Sequence, residues 1–127
     1  MKKIFISLLF FFTAAGAFAQ VDYDRANQAY VMYESERDKG TDVDLMYTYL
    51  VDSYKLFAAL AEDPANQKID GTKNRLRAMY PALLNGAIHY SNKNQPQKGL
   101  DCASAYIDIP QLKIFRNPWL YGGKKNA

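Results

Sequence analysis

From Asp22 onward the apolar residues recur at steps of three and four, the period of a helix with one buried face. Tyr23, Ala26, Tyr30 and Tyr33 share one such face, with Asp22 placed to cap its start and "DKG" at 38–40 placed to end it. A second helix is predicted from about Asp44 to Glu62. It carries two parallel stripes, Met46, Leu50, Ser53, Phe57 and Leu60, and Tyr47, Val51, Tyr54, Ala58 and Ala61. Asp44, Thr48, Asp52, Lys55 and Glu62 fall opposite, so the wide apolar face packs on more than one neighbour. Pro64 in "EDPAN" ends this helix by biasing Asp63 out of helical geometry. After the polar connection "QKIDGTK", Leu76, Met79, Leu83, Ala87 and Tyr90 resume the helical period. Pro81 interrupts them, and its ring opposes the carbonyl of Arg77, which predicts a break near Tyr80 with Pro81 in the first turn of a new helix. "SNKNQ" is a turn by composition, and Pro96 opens a last helix that Pro110 closes. The inner face of that helix is predicted to be Leu100, Ala103 and Ile107, flanked by Gly99 and Tyr106. "QLKIF" is compatible with a further helix start. No strand pattern is convincing, so the chain is expected to be all-α, built of antiparallel helical hairpins or a small helical bundle.

The first nineteen residues follow a different rule. Lys2 and Lys3 precede an apolar run, Ile4 to Phe12, broken only by Ser7, and "AFA" at 17–19 supplies small residues for a signal peptidase. The run is shorter than the about 20 residues that a spanning helix needs. Cleavage is expected between Ala19 and Gln20, giving a protein exported to the periplasm or the extracellular space with no membrane anchor. No cysteine follows the small residues to carry a lipid.

Removing 19 of 127 residues leaves 108, enough for one domain, expected to be a helical unit over 20–117 with an irregular tail at 118–127. Five of the seven Phe leave with the leader while all ten Tyr stay, and loss of Lys2 and Lys3 takes the net charge from +3 to +1. The residual charge argues against nucleic acid as a partner, and "NRLR" at 74–77 is the densest basic piece. A single cysteine, Cys102, permits no internal disulfide, so packing alone must hold the fold. In the tail, Trp119, Leu120 and Tyr121 are apolar enough to want a partner surface.

The opening of the last hairpin resembles the tetratricopeptide repeat, a helical hairpin used in stacks. Leu83, Gly86, Ala87 and Tyr90 match the bulky, small-or-apolar and aromatic positions of its first helix. In the second helix Gly99 takes the small position and Pro110 the end, whereas Ala103 replaces an aromatic and Tyr106 a small residue. A poorer unit runs from Tyr23 through Ala26, Asn27 and Tyr30 to Asp63. Tyr23 and Leu83 are 60 residues apart, against a usual period of about 34, so 64–80 reads as an insertion with a short extra helix. The resemblance covers about half of the mature chain. Two such hairpins are fewer than the repeats that usually stand alone, which implies a truncated relative of longer exported repeat proteins or a chain that needs a partner. In the family the first helix of each hairpin lines a concave groove. Carried over, the resemblance implies Asp24, Gln28, Val31 and Met32 from the first hairpin, and Leu84, Ile88, Ser91 and Asn92 from the second. Their mixed character suits an extended peptide better than a metabolite, although Leu84 and Ile88 are also ordinary core material.

Reactive side chains are sparse. Cys102 and His89, the only histidine, would face each other across a hairpin and form a nucleophile–base dyad, but the surroundings offer no cation or helix N-terminus to stabilise a thiolate. A buried, inert Cys102 is the expectation. One His and one Cys fall short of a zinc site without two carboxylates. "DKGTDVD" at 38–44 hints at calcium, yet counted from Asp38 the sixth and twelfth places hold Val43 and Tyr49, where the EF-hand loop needs Gly and an acid. Capping by Asp42 or Asp44 is the better reading. Glu34, Glu36 and Asp38 alternate and form a solvated face. The expectation is therefore a non-enzymatic protein-interaction module with no metal and no cofactor, taking an unidentified protein or peptide partner. The alternatives are a structural bundle that self-associates through its aromatic faces and a Cys/His-dependent enzyme.

Overall fold

Asp22 fixes the start of the first helix, because its carboxylate accepts the Arg25 N–H at 2.8 Å and satisfies a donor that the helix cannot. The computed structural model describes residues 22–116; the leader with its Ala19–Gln20 junction and the segment bearing Trp119, Leu120 and Tyr121 lie outside the described residues. Helix α1, Tyr23–Lys39, ends at Gly40, whose φ of 67° is the left-handed conformation that closes a helix and favours glycine. Helix α2, Val43–Ala61, begins with Asp42 accepting the Leu45 N–H at 3.0 Å. The turn after α2 is tied by Asn66, which donates to the Leu60 carbonyl and to Thr72, each at 3.1 Å. Helix α3 spans Ile69–Asn92, α4 spans Pro96–Asp108, and a 3₁₀ turn at Ile109–Gln111 leads into the short α5, Lys113–Arg116.

The architecture is all-helical. α1 packs antiparallel on α2 and α3 on α4, and α2 joins the first hairpin to the second, touching α1, α3 and α4. The breadth of its apolar face is the reason: Leu50, Ser53, Phe57, Leu60 and Ala61 are buried, and Met46, Tyr47, Val51 and Tyr54 are half-buried. The polar side runs through Asp44, Thr48, Asp52, Lys55 and Glu62, all exposed as the sequence predicts. Ser53 Oγ is fully buried with no hydrogen-bond partner among the described residues, a cost set against the packing of its neighbours. Across the hairpins, Arg75 of α3 donates to Asn27 of α1 at 2.9 Å and lies 4.4 Å from the centroid of the Tyr30 ring.

Two expectations are corrected. Pro81 does not break α3; the helix runs unbroken for 24 residues, so no separate helix forms over 64–80. Pro81 is exposed, whereas Leu76 and Met79 before it and Leu83, Gly86 and Tyr90 after it are all buried on one face. Burial on both sides of the proline outweighs the about 3 kcal/mol that an interior proline costs.

The inner face of α4 is also not Leu100, Ala103 and Ile107. Leu100 is 57% and Ile107 62% exposed, and the buried residues are Gly99, Cys102, Ala105 and, just beyond the helix, Ile109. Close approach dictates this phase. A Cβ on Gly99 would lie 3.4 Å from Tyr90 Cβ, so the small residues of α4 face α3 and the large ones turn outward.

Candidate functional site

All eight residues implied as a groove are exposed: Asp24, Gln28, Val31 and Met32 on α1, and Leu84, Ile88, Ser91 and Asn92 on α3. Two of them, Val31 and Ser91, line depressions, and these are separate. Val31 shares a shallow hollow with Glu34, Ser35, Asp38 and Lys39, all on α1. Ser91 shares an open cleft of about 420 Å³ with Ala87 of α3 and with Gly99, Leu100 and Ala103 of α4. α1 meets α3 through Asn27 and Tyr30, which contact Arg75, and through Tyr23, which covers Gly71.

The second cleft belongs to a wider surface. Helical phase places Leu84, Ala87, Ile88 and Ser91 on one side of α3, and Leu100, Ala103 and Ile107 on one side of α4. The cleft joins the two stripes across the hairpin. Leu84, Ile88, Leu100 and Ile107 are 39%, 51%, 57% and 62% exposed. One hairpin therefore turns four large aliphatic residues to solvent on a single outer face. Leu100 and Ile107 were missed as surface residues because their spacing alone fits a core stripe. The phase of Gly99, Cys102 and Ala105 was the available signal, since small residues mark the side where two helices touch.

A third depression, of about 200 Å³, lies between α2 and α4 with Tyr90 of α3 in its wall. Here the Tyr90 hydroxyl donates to Asp44 at 2.7 Å, and Lys98 Nζ stands 3.7 Å from the same carboxylate oxygen. The Tyr90 hydrogen bond comes first in holding the Asp44 carboxyl below its usual range, with Lys98 adding to it. Burial, and then Asp44, push the Tyr90 phenol upward. This set ties the start of α2 to the end of α3 and the start of α4. Asp42 caps α2, Asp44 accepts from Tyr90 and Asp38 pairs with Arg37, so each acid of the "DKGTDVD" turn has a structural partner. Among the described residues no group of three His, Cys, Asp or Glu is placed to hold a metal ion.

His89 packs its ring 5.5 Å from Tyr47 and 4.9 Å from Tyr90, and no hydrogen bond joins it to Cys102. Cys102 is buried against Gly86 and Tyr47, and burial, followed by Asp101, pushes its thiol up to about 11. A protonated, enclosed thiol is a poor nucleophile. Native protein at pH 7 is therefore expected to resist iodoacetamide, with full labelling once guanidinium unfolds it, as mass spectrometry would show; rapid native labelling would contradict the packing. Because the folded thiol titrates higher than an unfolded one, its contribution to stability is present below pH 9 and lost as pH rises toward 11.

Among the described residues no helix is long and apolar enough to cross a membrane. Comparison with protein-family models, with curated proteins and with solved structures returns no match.

Proposed function

We propose that this chain is an exported protein-interaction module, a short relative of the tetratricopeptide-repeat proteins, which binds its partner through the outer face of the α3/α4 hairpin. One observation carries the reading: of the seven large aliphatic residues exposed among the described residues, four, Leu84, Ile88, Leu100 and Ile107, belong to that hairpin. The largest apolar patch on a monomer is often a functional one. The repeat resemblance is supported by the burial of Leu83, Gly86, Tyr90 and Gly99. It is weakened by the length of α3, whose stretch from Ile69 to Tyr80 has no counterpart in the repeat. The concave-groove assignment is narrowed to Leu84, Ile88 and Ser91. Export rests on the leader pattern of residues 1–19.

The test compares capture by the tagged wild-type protein and by Leu100→Asp, with circular dichroism confirming that both are folded. Leu100 is exposed, so the substitution leaves the core intact. The wild type is expected to retain a specific protein from the exported fraction and the variant to lose it. An identical set of captured proteins for both, or none for either, would overturn the proposal. A homodimer by light scattering that Leu100→Asp dissolves would establish self-association in its place.

A further inference from the structure

The four aliphatic side chains of the α3/α4 outer face, each roughly half exposed, amount to a few hundred Å² of apolar surface. That is short of the roughly 800 Å² that each partner of a stable complex contributes. A second copy meeting this face symmetrically would bury too little to hold. The patch instead fits a short segment bearing two or three large apolar residues, since one aromatic side chain covers about 150–250 Å².

The course of the chain points to such a segment. Ile114 of α5 is buried, and Phe115 lies under Arg77, whose guanidinium carbon is 5.5 Å from the ring centroid. Arg77 precedes Leu84 by seven residues, so the two share one stripe of α3, about 10 Å apart along its axis. The described chain thus leaves at Arg116 on the side of α3 that carries Leu84 and Ile88. Trp119, Leu120 and Tyr121 follow after only Asn117 and Pro118, and Trp119 can stand about 10 Å from Arg116 in extended chain. These three are the large apolar residues of 117–127, and Gly122 and Gly123 come directly after them.

We propose that Trp119, Leu120 and Tyr121 of the same chain occupy the α3/α4 outer face in the free protein. This rests on reading that face as a binding surface and adds its resident occupant: a partner offers an apolar segment that competes with the chain's own. Trp119 is the one tryptophan in the sequence, so its fluorescence reports its surroundings alone.

The experiment measures Trp119 emission in the full exported protein, in Leu84→Asp and Leu100→Asp, and in Val31→Asp as a control on the distant α1 hollow. The wild type is expected to emit at the short wavelengths of an apolar site, independently of protein concentration. Either face variant shifts the emission to that of exposed indole, and Val31→Asp leaves it unchanged. Solvent-like emission in the wild type overturns the proposal. So does emission that ignores Leu84→Asp and Leu100→Asp, or a blue shift that appears only at high concentration, which would mean exchange between copies. If the emission is solvent-like while Leu100→Asp still abolishes capture of a partner, the face remains a binding surface and only its resident is lost.

Discussion

Gly86→Val is expected to lower the melting temperature by more than about 10 °C, and Cys102→Ala is expected to restore part of that loss. Gly86 sits where three helices converge: a Cβ there would lie 2.8 Å from Cys102 Sγ of α4 and 3.0 Å from the Tyr47 ring of α2. Neither neighbour is free to retreat, since Cys102 is buried and Tyr47 is hemmed in by the His89 and Tyr90 rings. Glycine within a helix costs about 1 kcal/mol relative to alanine, and valine recovers only part of that. Forcing extra carbon into a filled core costs about 1–3 kcal/mol and grows with a branched side chain. The overpacking therefore wins, by about 2 kcal/mol for a branched side chain. In a domain of this size each kcal/mol moves the midpoint by roughly 4–8 °C. Removing Cys102 Sγ relieves the shorter of the two contacts and leaves the Tyr47 ring in place, so rescue is partial. Thermal melts followed by circular dichroism decide it. A Gly86→Val protein that melts with the wild type would mean that the helices do not meet here.

The legible parts of the fold were those written in local chemistry. Asp22, Asp42 and Gly40 act at helix ends, where one side chain or one backbone angle decides the outcome, and all three are found there. The wide face of α2 was legible because two stripes on one helix require two neighbours. What the sequence misrepresented depended on partners distant along the chain. Pro81 reads as a break because its local cost is certain, while the compensating burial of Leu76, Met79, Leu83 and Tyr90 against other helices has no local signature. Leu100 and Ile107 read as core because spacing identifies a face without saying which face is covered. Gly99 and Cys102 settled that, and their effect depends on how closely α3 approaches.

The candidate site follows the same division. The α3 half, Leu84, Ile88 and Ser91, was reached from the repeat resemblance, and those residues are exposed beside a cleft or on its flank. The α4 half was invisible because it was assigned to the interior. Both errors in α4 are one error of phase, and correcting it turns an apparent core stripe into half of an apolar surface. The Asp44, Tyr90 and Lys98 contacts also escaped the sequence, since they join residues 46 and 54 positions apart with no motif to announce them.

Phe57→Ala is expected to cost about 3–5 kcal/mol, the range for deleting a fully buried phenylalanine. Phe57 has no solvent exposure and meets the Tyr23 ring edge-on at 5.6 Å. Tyr23 in turn covers Gly71 in the first turn of α3, where an added Cβ would lie 2.7 Å from its hydroxyl, and Lys68 lies 5.3 Å from its ring centroid. One side chain of α2 thus supports the contact of α1 with α3. Its loss opens a cavity and removes the wall behind Tyr23, so the α1 and early α3 amides should lose hydrogen-exchange protection together. Phe57→Leu keeps most of the volume and is expected to cost less than about 1.5 kcal/mol. A domain of this length is stable by only about 5–14 kcal/mol, so the alanine variant forfeits a large share of the total. Urea titrations of the two variants measure both costs. A loss below about 1 kcal/mol for Phe57→Ala, or loosening confined to α2, would show that the Phe57–Tyr23–Gly71 stack does not hold the first hairpin to the second.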